Sequence, residues 1–123
     1  MNILLAEDDP SLRLLLEDFL AGLGHTVRSA ENGNGLVRQA LEARPDLIIT
    51  DLQMPEMSGD SMIAMLDLYP GLVGIPVIVI TGAAHGELAD MGIDPDIPVF
   101  RKPLDLEKVA GQIEKISGRG GKV

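Results

Sequence analysis

Cysteine is absent from this chain, which excludes a disulfide framework, a thiolate zinc finger and thiol catalysis, and agrees with a reducing compartment. Tryptophan is absent too, and there are only one tyrosine and two phenylalanines, so no aromatic platform is available for stacking nucleic-acid bases. Basic residues are scarce: 10 Lys and Arg stand against 19 Asp and Glu, a formal net charge of −9. With no local run of Lys or Arg to reverse it, that charge repels a phosphate backbone, and direct nucleic-acid binding is not expected. Long apolar runs are missing as well. Stretches such as Val77 to Ile80 fall far short of the ~20 residues that cross a bilayer. Ile3 to Ala6 is followed at once by three acids, where a secretory signal needs a basic segment and a longer apolar core. The expectation is a cytoplasmic protein with no membrane partner.

What is present is enough for one ordinary domain: 123 residues with 46% hydrophobic content can bury a core unaided. Short apolar runs alternate with longer stretches of helical period. Ile3 to Ala6 reads as a buried strand. Leu12, Leu15, Leu16, Phe19, Leu20 and Leu23 then share a helix face, with Asp9 as N-cap, Pro10 at the first position and Gly24 past the end. Thr26 to Ala30 is a second strand, and Leu36, Val37, Ala40 and Leu41 mark a second helix that stops before Pro45. Leu47 to Asp51 is a third strand. After the loop Leu52 to Gly59, a third helix turns Met62, Ile63, Leu66 and Tyr69 inward and closes at Pro70 and Gly71.

Val77 to Ile80 forms a fourth strand ending at Thr81, and Ala83 to Met91, carrying Gly86 and few apolar anchors, is a weak helix. Residues Gly92 to Pro98 lead into a short fifth strand, Val99 to Arg101, and a last helix starts at Asp105 with Leu106, Val109, Ile113 and Ile116 on one face. The domain is expected to span residues 1–117, with 118–123 a flexible, glycine-rich tail. Strands that read as continuous apolar runs indicate a sheet covered on both faces, so the fold class is α/β, a doubly wound five-stranded parallel sheet with five helices.

Polar groups in this reading gather where strands end: Glu7, Asp8 and Asp9 after the first, Asp51 after the third, Thr81 after the fourth and Lys102 after the fifth. Ligands in such folds sit beyond the carboxyl ends of the strands. Carboxylates converging there raise one another's pKa unless a cation lies among them. Magnesium suits the place, because it takes oxygen ligands and commonly combines one or two carboxylates with a phosphate group. A carboxylate held in line with such a group can act as nucleophile and become an aspartyl phosphate. Lys102 would pair with the added charge and Thr81 could donate a hydrogen bond to a phosphoryl oxygen.

The series Glu7-Asp8-Asp9, then Asp51-Leu52-Gln53-Met54-Pro55-Glu56-Met57-Ser58-Gly59, then Thr81-Gly82-Ala83, then Lys102-Pro103 resembles the receiver domain of bacterial response regulators over nearly the whole chain. The resemblance implies a flavodoxin-like sheet of order 2-1-3-4-5 and a cis bond between Lys102 and Pro103. It makes Asp51 the phosphoacceptor and gives Mg2+, with Mn2+ able to substitute, the ligands Asp8, Asp51 and the backbone carbonyl of Gln53, with Glu7 assisting through water. Thr81 and Lys102 would contact the phosphoryl group. It also implies a histidine kinase or phosphotransfer protein as donor and no turnover on a separate substrate. The signal would leave to an unknown downstream protein through a face built from the last two helices and the fifth strand. One departure concerns the switch formed by Thr81 and an aromatic residue three positions before the lysine, since that position holds Val99. Phe100 is adjacent, but neighbours along a strand point to opposite faces, so it does not substitute.

Each piece also has a plain structural reading: acids favour a helix start, Asp51 could be a turn residue, and Lys102 alone would be a surface lysine. It is their joint order that argues for a site. A dehalogenase-like phosphatase would carry a second acid two positions after the nucleophile, where Gln53 stands. A nucleotide-binding module would carry a glycine-rich loop where Glu7, Asp8 and Asp9 stand. A receiver that serves as a protein-binding module, with phosphorylation weak or dispensable because of Val99, remains the alternative.

Overall fold

The computed structural model describes residues 1–53, 59–82 and 94–121. Strands β1(Asn2–Ala6), β2(Thr26–Ala30), β3(Leu47–Asp51), β4(Val77–Thr81) and β5(Val99–Arg101) form one parallel sheet in the order β2-β1-β3-β4-β5. Among the described residues four helices cover it: α1(Pro10–Gly22), α2(Gly33–Glu42), α3(Gly59–Leu66) and α4(Leu106–Gly121). The expected helix over Ala83–Met91 lies outside the described residues, as do 54–58 of the loop after β3.

Both faces of the sheet are covered by helices, and strand parity divides the core in two. Ile3, Leu5, Leu47, Ile49, Ile78 and Ile80 pack with Leu16 and Leu20 of α1 and with Val109 and Ile113 of α4. Leu4, Ala6 and Ile48 pack instead with Leu36, Val37 and Ala40 of α2 and Leu66 of α3. Successive side chains serve opposite faces and both faces are covered, so apolar residues run consecutively. Phe100 joins the first cluster while Val99 packs near Val79 and Leu52, as the alternation requires.

The helix ends follow their caps. Asp9 accepts a hydrogen bond from the Ser11 backbone N–H at 3.0 Å, with Pro10 at the start of α1. Asn32 does the same for α2 through the Gly35 N–H at 2.8 Å. The chain leaves α1 through Gly24, whose φ of 96 is open to glycine and strained for other residues.

Three side chains depart from the expected inward set. Leu15 and Leu41 are half exposed, because each sits ~100° around its helix from the buried neighbour Leu16 or Ala40, beyond the width of the apolar stripe. Leu23 is the C-cap of α1 and hangs past its last turn. Tyr69 packs against the core from the turn after α3, because that helix ends at Leu66 and not at Pro70. The backbone of α4 is helical through Gly121, across residues that the sequence reads as tail. The Lys102–Pro103 bond is cis.

Candidate functional site

The site is assembled by strand parity and register. Glu7 continues the row Ile3–Leu5, Asp51 ends the row Leu47–Ile49, and Lys102 follows Phe100, all three rows belonging to the face covered by α1 and α4. Register brings the rows level: Ala6 pairs with Thr50, Asp51 with Ile80, and Thr81 with Arg101. The ladder continues one residue further on each side, through Glu7 N–H to the Ala30 carbonyl (3.2 Å) and Lys102 N–H to the Thr81 carbonyl (2.8 Å). Three charged side chains from distant stretches therefore meet at one rim. Thr81 has the opposite parity and ends the row of Val77 and Val79, beside the row that carries Val99.

Lys102 Nζ lies 2.6 Å from Asp51 Oδ2 and 3.0 Å from Glu7 Oε1. Both carboxylates are buried, as is Thr81, while the lysine side chain keeps 29% of its surface exposed. Asp51 Oδ1 accepts the Gln53 backbone N–H at 2.9 Å, and Glu7 Oε2 accepts the Asp9 backbone N–H at 3.1 Å. Glu7 Oε1 touches the ammonium as an ion pair but makes no aligned hydrogen bond. A buried carboxylate oxygen in that state retains capacity for a further positive partner.

Asp8 is exposed and stands beside this pair: Glu7, Asp8 and Asp51 each offer one ligand atom, all within 4.8 Å of one another. Three acids and one lysine leave the cluster with an excess of negative charge. Burial pushes the Glu7 carboxyl above the ordinary carboxylate range, with the Asp51 charge adding to it, while the Asp9 N–H and Lys102 pull the other way. Burial pulls the Lys102 ammonium down, yet its hydrogen bond to Asp51, its ion pair with Glu7 and the charges of the two carboxylates outweigh this and hold it raised. An oxygen-only donor set with surplus negative charge fits a hard divalent cation, magnesium or manganese, and fits a soft metal poorly.

Gln53 is exposed next to Asp51, with its amide oxygen 4.0 Å from where a side chain on Gly82 would begin. Of the sequence-predicted residues, Glu7, Asp8, Asp51, Gln53 and Lys102 are thus brought together. Thr81 joins them through the ladder, while Val99 lies two residues below the rim. Arg13 was missed. Its guanidinium donates to the Glu7 carbonyl at 2.9 Å, and the only signal was its place one turn into the helix that follows the acids.

Fold and rim together define a doubly wound α/β module with a carboxylate and lysine site at the carboxyl ends of its strands. The chain belongs to the response regulator receiver domain family, whose model matches residues 3–114. It is therefore a module of two-component signalling. A gliding motility regulatory protein of Myxococcus xanthus is 30% identical over 119 residues, 95% of this chain and 15% of that protein. A DNA-binding transcriptional regulator NtrC of Azospirillum brasilense is 35% identical over 122 residues, 93% of this chain and 24% of that protein. The chain thus spans a quarter or less of the length of these relatives.

Among solved structures, the signal receiver domain of a signal transduction histidine kinase from Syntrophus aciditrophicus superposes with a TM-score of 0.89 at 28% identity, covering 99% of this chain and 93% of that one. The receiver domain of a sensor histidine kinase from Pseudomonas aeruginosa, solved with a magnesium ion in its active-site cleft, shares the fold with a TM-score of 0.87 at 24% identity, covering 95% of this chain and 97% of that one. No helix among the described residues is long and apolar enough to cross a membrane.

Proposed function

We propose that this chain accepts a phosphoryl group on Asp51 in a magnesium-dependent reaction and converts that event into a change of surface that a partner protein reads. The observation that carries the reading is the Lys102 ammonium held between Asp51 and Glu7, with Asp8 close enough to share a cation with both.

A bound divalent cation would supply charge neutralisation for the incoming phosphoryl oxygens. Asp8, Asp51 and the backbone carbonyl of Gln53 would hold it, with Glu7 reaching it through water. The remaining work belongs to the chain. An Asp51 carboxylate oxygen attacks phosphorus, the bond from phosphorus to the donor nitrogen breaks, and the donor imidazole keeps the electron pair of that bond. Asp51 is already directed by the Gln53 N–H on Oδ1, which limits its rotation. Lys102 exchanges its contact with Asp51 for a phosphoryl oxygen, and the Thr81 hydroxyl donates to another.

A histidine kinase or phosphotransfer protein is the proposed donor, the chain turns over no separate substrate, and the cytoplasm is the proposed location. Val99 in the half-buried strand position beside Val79 favours a second reading, a protein-binding module that dispenses with phosphorylation. Incubation with magnesium and acetyl phosphate or phosphoramidate, followed by intact mass, separates the two. A single phosphate adduct supports the first, and its absence on folded wild type supports the second.

A further inference from the structure

Asp8 stands in the cluster with, among the described residues, no hydrogen bond or ion pair made to its carboxylate. Its approach to Asp51 therefore depends on the backbone that carries it, and the peptide preceding it is the one whose carbonyl belongs to Glu7. That carbonyl is held from outside the loop. Arg13, in the second turn of α1, donates from Nη1 to the Glu7 oxygen at 2.9 Å, and its side chain is 18% exposed, folded back over the loop. The same residue fixes the helix start through its own N–H to the Asp9 carbonyl at 2.9 Å. Glu7 N–H is in the sheet ladder and Glu7 Oε2 is on the Asp9 N–H, so among the described residues it is the guanidinium that holds the peptide plane aiming Asp8. Glu31 is a lesser partner of Arg13, exposed and 3.8 Å away, where screening leaves little interaction.

We infer that Arg13 is a positioning residue for the cation site: by gripping the Glu7 carbonyl it sets the Glu7–Asp8 peptide and so delivers Asp8 to the ion. The inference rests on the magnesium-binding reading proposed above. Electrostatics alone predicts the opposite sign, because removing a positive charge near a dication site should tighten binding. Residues that orient ligands in this way typically change metal affinity by about 10-fold or more when lost.

The test is magnesium titration by calorimetry on wild type, Arg13→Met, Arg13→Lys and Glu31→Gln, with thermal unfolding of each in excess chelator. The expected result is a Kd for magnesium weakened about 10-fold in Arg13→Met, partly restored in Arg13→Lys, and unchanged in Glu31→Gln. Affinity that is equal or tighter in folded Arg13→Met overturns the inference. If Arg13→Met does not fold, Arg13→Lys decides: it keeps the charge but loses the planar fork, so a wild-type Kd in that variant counts against positioning. A wild type that binds no magnesium sinks the magnesium reading itself, an outcome distinct from wild-type binding that Arg13 leaves unaffected.

Discussion

The two rims of this sheet use charge in opposite ways. At the amino-terminal rim the exposed side chains of Asp46 and Arg44 are spent on backbone partners: Asp46 accepts the Asn2 N–H at 2.7 Å while its own N–H returns to the Asn2 carbonyl at 2.8 Å. Arg44 donates to the carbonyls of Gly71 at 2.6 Å and Val73 at 3.0 Å, tying the approach to β4 against the turn before β3. At the carboxyl-terminal rim the charges face one another, two of the carboxylates are buried, and one carboxylate oxygen lacks an aligned hydrogen bond. A rim whose groups are satisfied closes loops. A rim whose groups are crowded and incompletely paired stores a preference for a ligand of opposite charge, and the contrast predicts that substitutions at one end change chemistry and at the other only stability.

The largest break between the rims is expected at Asp51. Asp51→Asn is nearly isosteric and removes one of the crowded charges, so the fold should persist by circular dichroism while the acetyl phosphate adduct disappears entirely from the intact mass. An adduct of equal yield on that variant would move the acceptor elsewhere and end the comparison as drawn. Asp8→Ala comes next. Loss of one of three clustered carboxylates should weaken magnesium binding by more than about 10-fold, read by calorimetry, with little change in metal-free stability because Asp8 is exposed.

Lys102→Met sharpens the contrast further, since it leaves Glu7 and Asp51 buried without their shared cation. Removing one partner of a buried pair costs several kcal/mol, and the partial exposure of the lysine reduces this to about 2 kcal/mol in chelator at neutral pH. Magnesium should then raise the Tm of this variant more than that of wild type, because the ion takes over part of the role the ammonium plays. Equal Tm values in chelator would mean that the two carboxylates are not in conflict.

How much of this was legible in the sequence follows from where side-chain identity sufficed. The strands Thr26–Ala30, Leu47–Asp51 and Val99–Arg101 match their expected bounds, since short segments carrying β-branched residues between turn residues leave little freedom, and five of the site residues lie where strand endings put them. The sheet order came from the resemblance and not from periodicity, because register and neighbours are set by contacts between distant residues that no local pattern encodes. Leu15 and Leu41 were misjudged for a related reason: a run of leucines says that a helix is amphipathic but not how wide its buried stripe is. Arg13 was invisible because its role lies in a side-chain to backbone bond across the loop, a contact that spacing does not signal. Glu7 was seen as one acid of three, while its full burial depends on β1 lying between β2 and β3.

The smallest expected effect lies at the quiet rim. Arg44 is exposed, so its two hydrogen bonds compete with water and are screened, and Arg44→Ala should cost about 1 kcal/mol, or roughly 4 °C in Tm for a domain of this size. Gly74, with a φ of 87, shapes the turn beneath the guanidinium, with Nη2 3.8 Å from where a side chain would begin. Without the arginine that turn keeps its shape but loses its tie to the loop before β3. Magnesium affinity and adduct yield should stay at wild-type values, because the sheet core between the rims, Ile48 and Ile49 packed on Ile78 and Leu4, is too rigid to relay the loss of a surface staple. A drop in magnesium affinity in Arg44→Ala comparable to that of Asp8→Ala would show that the two rims are coupled through β3, and that their division of labour is not what separates them.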